Sequence, residues 1–120
     1  MPDSPDPGAF LPLTPVAFEI LLSLTAGDRH GYAIMQEVEG RTEGRMSLHA
    51  GTLYRALARL VENALLEELP EGAVEDGDER RRYYRLTPLG QQVATEEARR
   101  LESQVGAARL QGLLGRAAGG

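Results

Sequence analysis

Apolar residues return at helical spacing in four stretches of this chain, and two short leucine- or tyrosine-rich runs lie between the third and the fourth. Val16, Ile20, Leu21 and Leu24 recur every three or four positions and so share one helical face. Thr14 and Pro15 open that helix, because a threonine oxygen accepts from free first-turn amides and proline needs no donor at the first position. A second, short helix starts near His30 or Gly31, with Tyr32, Met35 and Val38 as its stripe and Gly40 placed to end it. The third covers residues 50–63: Leu53, Leu57, Leu60 and Val61 form the apolar face, while Thr52, Arg55, Arg59 and Glu62 lie elsewhere on the wheel.

The runs "LLEEL" and "RYYRL" flank the glycine- and acid-rich "PEGAVEDGDE", which predicts a two-stranded hairpin with a long loop. Strand alternation turns Tyr84 and Leu86 toward the core and Arg81 and Tyr83 outward. Thr87, Pro88 and Gly90 open the last helix, along which Leu89, Val93, Leu101, Val105 and Ala108 step mostly by four to about position 114. Its length would be roughly 40 Å at 1.5 Å per residue. So long a helix has little of a small domain to pack on, and the stripe is expected to meet a second copy as a homodimer. The fold class that follows is mainly α with a small β-hairpin: a winged helix-turn-helix with a long C-terminal dimerisation helix. Residues 1–12 read as a disordered N-terminal arm, 13–87 as the winged helix-turn-helix domain, 88–114 as the dimerisation helix and 115–120 as a flexible tail.

With 120 residues the chain has the length of one domain. Cysteine is absent, which excludes disulfides and thiolate metal sites and fits a reducing, cytoplasmic setting. The opening "MPDSPDPGAF" has neither the positive nor the apolar region of a signal peptide, and no apolar run approaches the roughly 20 residues that span a bilayer, so no membrane association is expected. All 13 basic residues are arginine, so Schiff-base lysines and the lysine of a phosphate-binding loop are excluded. His30 and His49, the two histidines, suit capping or surface roles better than metal ligation. The acids Glu71, Glu75, Asp76, Asp78 and Glu79 lack the ordered alternation and closing glutamate of a calcium loop and read as a solvated wing tip. With no Gly-x-Ser-x-Gly or other nucleophile motif, nothing assembles into a catalytic site; no enzyme, metal or cofactor is expected.

The formal net charge of -5 is unevenly spread. Residues 71–79 and 91–102 hold much of the acid, whereas residues 44–59 contain three arginines and no carboxylate. Arg55 and Arg59, four apart on one helical face, have the fork that makes bidentate contacts to guanine or phosphate. Gly51 and Thr52 sit in the first turn, where free amides and the helix dipole favour phosphate. Tyr54 either donates to a phosphate or packs its ring on the second helix. The candidate DNA-binding set is Ser47, His49, Gly51, Thr52, Tyr54, Arg55 and Arg59 around the third helix, with Arg80, Arg81, Arg82 and Tyr83 on the wing. The alternative is a protein-interaction module whose arginine face holds an acidic partner, which the negative net charge favours.

Three motifs resemble the PadR family of bacterial transcriptional regulators across roughly residues 13–112. "HGYAIMQEV" is similar to that family's His-Gly-Tyr-x-Ile second helix, "GTLYRALARLVENALL" to its recognition helix, and "RRYYRLTPLG" to its wing strand and final cap. The single terminal helix resembles the short, second subfamily. The resemblance implies a dimer on double-stranded, pseudo-palindromic operator DNA, repressing its own gene or a neighbouring transporter operon, with release by a small-molecule inducer in some members. It also implies that Tyr54 contacts the DNA backbone. An aromatic ligand pocket between subunits does not carry over, because the helix from Pro88 onward contains no aromatic residue. Two positions depart from the pattern: His49 replaces a serine before the recognition helix, and Ala64 replaces the glycine that ends it, which transfers the left-handed cap conformation to Asn63.

Overall fold

Side-chain oxygens or nitrogens close the N-termini of three helices in the computed structural model, which describes residues 5–70 and 82–115. In α1 (Pro15–Ser23) the Thr14 hydroxyl accepts from the Ala17 amide at 3.1 Å, and in α2 (Gly31–Arg41) His30 Nδ1 accepts from the Ala33 amide at 3.1 Å. In α4 (Pro88–Leu110) Thr87 takes the Gly90 amide at 2.9 Å. These are the start signals written in the sequence. The exception is α3 (Ala50–Glu62), where His49 occupies the cap position without a side-chain cap bond.

The C-termini depart from expectation. Gly40 lies inside α2, which runs on to Arg41 and ends with Glu43 at φ 54°. The Glu43 amide returns to the Gly40 carbonyl and the Gly44 amide to the Glu39 carbonyl, the paired closing bonds of a Schellman motif. α3 ends in the same way, with Ala64 amide to Val61 and Leu65 amide to Leu60, each at 3.0 Å. The left-handed residue is therefore Ala64 itself, at φ 63°, and Asn63 keeps φ -86° and ψ 6°. The reason is positional: the closing bonds reverse the chain one residue beyond the cap, whatever side chain stands there.

Among the described residues the sheet has three strands, not two. Arg29–His30 forms β1 and pairs antiparallel with β3 (Tyr83–Leu86), which also pairs with β2 (Leu66–Glu68), so β3 is central. Two residues are too few to leave an alternation signal, and β1 exists because β3 offers its second edge. Tyr84 opposes Arg29 on one side and Glu68 on the other, and its ring is buried. Leu86 packs against the core, as alternation predicts.

The core gathers Ile20, Leu21 and Leu24 of α1, Ile34 and Val38 of α2, Leu53, Leu57 and Leu60 of α3, and Leu65, Leu66 and Tyr84. Tyr32, assigned to the stripe of α2, is instead 54% exposed, and Ile34 takes the inward position. Gly90 lets α4 begin directly against Leu65, the residue before β2: a Cβ there would lie 2.1 Å from the Leu65 carbonyl oxygen.

Residues 7–12, within the stretch read as a disordered arm, lie against α4 through a 3₁₀ turn at Pro7–Phe10. Phe10, Leu11 and Leu13 pack on the core, and the Leu13 amide donates to Glu97 at 2.9 Å. The Glu97 carboxylate is 1% exposed and takes two further bonds from the Arg100 guanidinium. Arg100 and the Leu13 amide hold its pKa below the usual carboxylate range against the opposing effect of burial. The first half of α4 is thus part of the domain. Leu89, half-buried, packs on the core and Val93 is fully buried within the same chain.

Candidate nucleic-acid interface

The buried stripe Leu53, Leu57 and Leu60 fixes α3 on the core and turns Gly51, Tyr54, Arg55, Ala58 and Arg59 to solvent. α2 is locked to α3 at one point of close approach. A Cβ on Gly31 would lie 2.5 Å from the Tyr54 hydroxyl oxygen, so only glycine lets the phenol rest there. Tyr54 remains 45% exposed, with its ring packed on α2 and part of its surface open. Ser47, His49 and Gly51 are exposed around the start of the helix, and Thr52 is half-buried. Because His49 does not cap, the first amides of α3 are left for another acceptor, and the helix dipole favours an anion there.

Ion pairing separates the arginines into two groups. Arg29 and Arg41 tie α1, α2 and β1 together: Arg41 reaches Glu19 at 2.7 Å and the buried Ser23 hydroxyl at 3.2 Å, and Arg29 donates to the Ser23 carbonyl at 2.7 Å. Arg85 grips Asp28 with two bonds of 3.2 and 2.9 Å, and this carboxylate raises the guanidinium's pKa. Arg99 pairs with Glu96, and Arg100 with Glu97. Among the described residues, Arg45, Arg55 and Arg59, with Arg109 near the end of α4, have no carboxylate partner. Neither Arg55 nor Arg59 pairs with Glu62 or Glu43, the carboxylates flanking this helix. Arg45 was not among the site residues named from sequence, although it lies in the same carboxylate-free segment.

On the wing, Arg82 is exposed and reaches Glu68 across the sheet at 3.5 Å, a surface pair of small energetic weight. Tyr83 is half-buried with its ring edge-on to His30 at 5.3 Å. Burial, with Glu68 beside it, raises the pKa of the neighbouring Tyr84 phenol. Arg80, Arg81 and the acidic loop of residues 71–79 lie outside the described residues.

At the far end of α4, Leu101 and Ala108 are half-buried and Val105 is 45% exposed. Leu110, Leu113 and Leu114 are also exposed and were not named from sequence. Among the described residues no helix is long and apolar enough to cross a membrane, and no cluster of histidine and carboxylate side chains is arranged for a metal. A groove of about 630 Å³ runs along the other flank of α3, between Arg55, Arg59 and the arm.

Residues 20–96 match the model of the transcriptional regulator PadR-like family. A relative of uncharacterised function from Lysinibacillus sphaericus is 38% identical over 77 residues, which is 64% of this chain and 69% of that protein. A transcriptional regulator from Clostridium thermocellum has a similar structure, with a TM-score of 0.66 at 29% identity, covering 78% of this chain and 89% of that one. A PadR-like transcription factor from Bacteroides fragilis gives a TM-score of 0.64 at 26% identity, over 78% and 86% of the two chains.

Proposed function

As the chain belongs to the PadR-like family of transcriptional regulators, and so to a family of DNA-binding regulators rather than enzymes, we propose that it acts as a homodimeric, sequence-specific repressor. The observation that carries the reading is the set Arg45, Arg55 and Arg59. In a chain of net charge -5, these exposed cations lack carboxylate partners where the recognition helix begins and runs, whereas Arg29, Arg41, Arg82, Arg85, Arg99 and Arg100 are paired. Leaving a cation unpaired at the surface is cheap only in water, and its use comes when phosphate or guanine replaces that water.

In this reading two copies of α3 enter successive major grooves about 34 Å apart, with the uncapped first turn on a phosphate. Arg55, nearer the helix start, reads a base edge, and Arg59 and Arg45 hold backbone. Arg80, Arg81 and Arg82 carry the wing to flanking phosphates. The exposed apolar residues of distal α4, with Leu101, Val105 and Ala108, supply the contact between copies. The regulated operon is its own or a neighbouring one, such as a transporter's, and a small ligand releases the repressor.

A fluorescence-anisotropy titration tests this on the upstream DNA of its own operon against scrambled DNA, at about 150 mM salt. Two chains should bind per site, with affinity falling steeply as salt rises. Equal affinity for both DNAs would refute the sequence-specific reading, and salt-insensitive binding would return the arginine face to an acidic protein partner.

A further inference from the structure

The groove beside α3 has a composition of its own. Its apolar wall consists of Phe10 and Leu13 of the arm, Ala17 of α1, and Ala56 and Leu60 of α3. Its open side carries Arg55 and Arg59, neither with an ion-pair partner among the described residues, and Glu62 lies at the same rim. Two guanidinium groups against one carboxylate leave a single net positive charge. The volume of about 630 Å³ falls within the roughly 300–1,000 Å³ typical of small-molecule sites. The arm forming one wall is held in place by the bond from the Leu13 amide to buried Glu97.

An occupant must present one anionic group to the arginines and an apolar body to the wall. Glu62 disfavours a dianion such as phosphate. The wall offers one ring, Phe10, among small or branched aliphatic side chains, so it cannot clamp a planar aromatic between two faces. We propose that this groove binds an aliphatic monocarboxylate, its carboxylate on Arg55 and Arg59 and its alkyl chain along Phe10, Ala56 and Leu60. The carboxylate matches the guanidinium fork, and each buried methylene contributes about 0.8 kcal/mol. One consequence rests on the DNA-binding reading above: bound ligand occupies the cations that face DNA, so ligand and operator exclude one another directly.

Decanoate, kept below its micellar concentration, is the probe, titrated calorimetrically into the full chain without DNA. Saturable binding of one decanoate per chain is expected, with decanol and decyltrimethylammonium at least about tenfold weaker because they lack the anion. Arg59→Ala, at an exposed position that keeps the fold, should weaken decanoate about tenfold. Ala56→Phe should do the same by filling the wall with both cations intact, provided its melting transition matches the parent's; if it does not, Arg55→Gln takes its place. Non-saturable uptake, decanol binding as tightly as decanoate, or unchanged affinity in Arg59→Ala would each overturn the proposal. A parallel anisotropy titration separates the two readings. Decanoate binding without specific DNA binding removes the repressor and leaves the groove; specific DNA binding without decanoate binding removes the groove alone.

Discussion

Ala64→Gly should make the protein more stable, although it removes a methyl group and adds a glycine. Ala64 closes α3 at φ 63°, where a Cβ crowds the backbone and costs about 1–2 kcal/mol. Its side chain is exposed, so no packing is lost with the methyl. Glycine relieves the strain but has a freer unfolded chain, which offsets about 0.4–1 kcal/mol. The net gain is about 1 kcal/mol, or roughly 3–5 °C in Tm for a domain of this size. The control is Asn63→Gly, one residue earlier. Asn63 has φ -86°, with no strain to relieve, so only the entropic cost remains, about 0.5–1 kcal/mol of destabilisation. Urea unfolding of the two variants beside the parent measures both, with the m-value expected to stay constant. Opposite signs are required: a stabilised Asn63→Gly or a destabilised Ala64→Gly would show that the left-handed residue is Asn63.

Gly90→Ala should cost about 3 kcal/mol or more in the same assay, because the new Cβ meets the Leu65 carbonyl oxygen, which already accepts from the Thr87 amide and hydroxyl; unchanged stability would mean that α4 does not begin against Leu65. Glu97→Gln keeps an oxygen for the Leu13 amide but loses the charge facing Arg100, at a cost of about 1–3 kcal/mol at neutral pH. Since the folded pKa of Glu97 is lowered, its contribution is complete above the unfolded carboxylate range and disappears as pH falls through the lower folded value, so the gap between parent and variant should close in acid; a gap constant with pH would refute the pairing. Arg55→Ala should weaken operator binding by about 1–3 kcal/mol and relax sequence preference, whereas Arg81→Ala should weaken all DNA sequences alike, both read by anisotropy against operator and scrambled duplexes. If both variants bind like the parent, these arginines only neutralise nearby acids.

Local signals determined much of this protein before any folding was considered. Thr14, His30 and Thr87 mark helix starts through bonds made within three residues, so the sequence alone carries them. The leucine stripe of α3 and the alternation of Tyr84 and Leu86 likewise state which face is buried. The clustering of arginines without carboxylates in residues 44–59 was legible too. What tertiary structure decided depends on groups far apart in the chain. β1 is two residues long and exists through its pairing with Tyr83 and Tyr84. The arm is ordered because Glu97, 84 positions away from Leu13, needs a donor in a buried site. Val93 serves the chain's own core because α1 and the arm lie against α4. The same cause explains the recognition helix: spacing placed Arg55 and Arg59 on one face, but only the packed arm, α1 and α3 together determine that this face borders an apolar groove and leaves both cations unpaired.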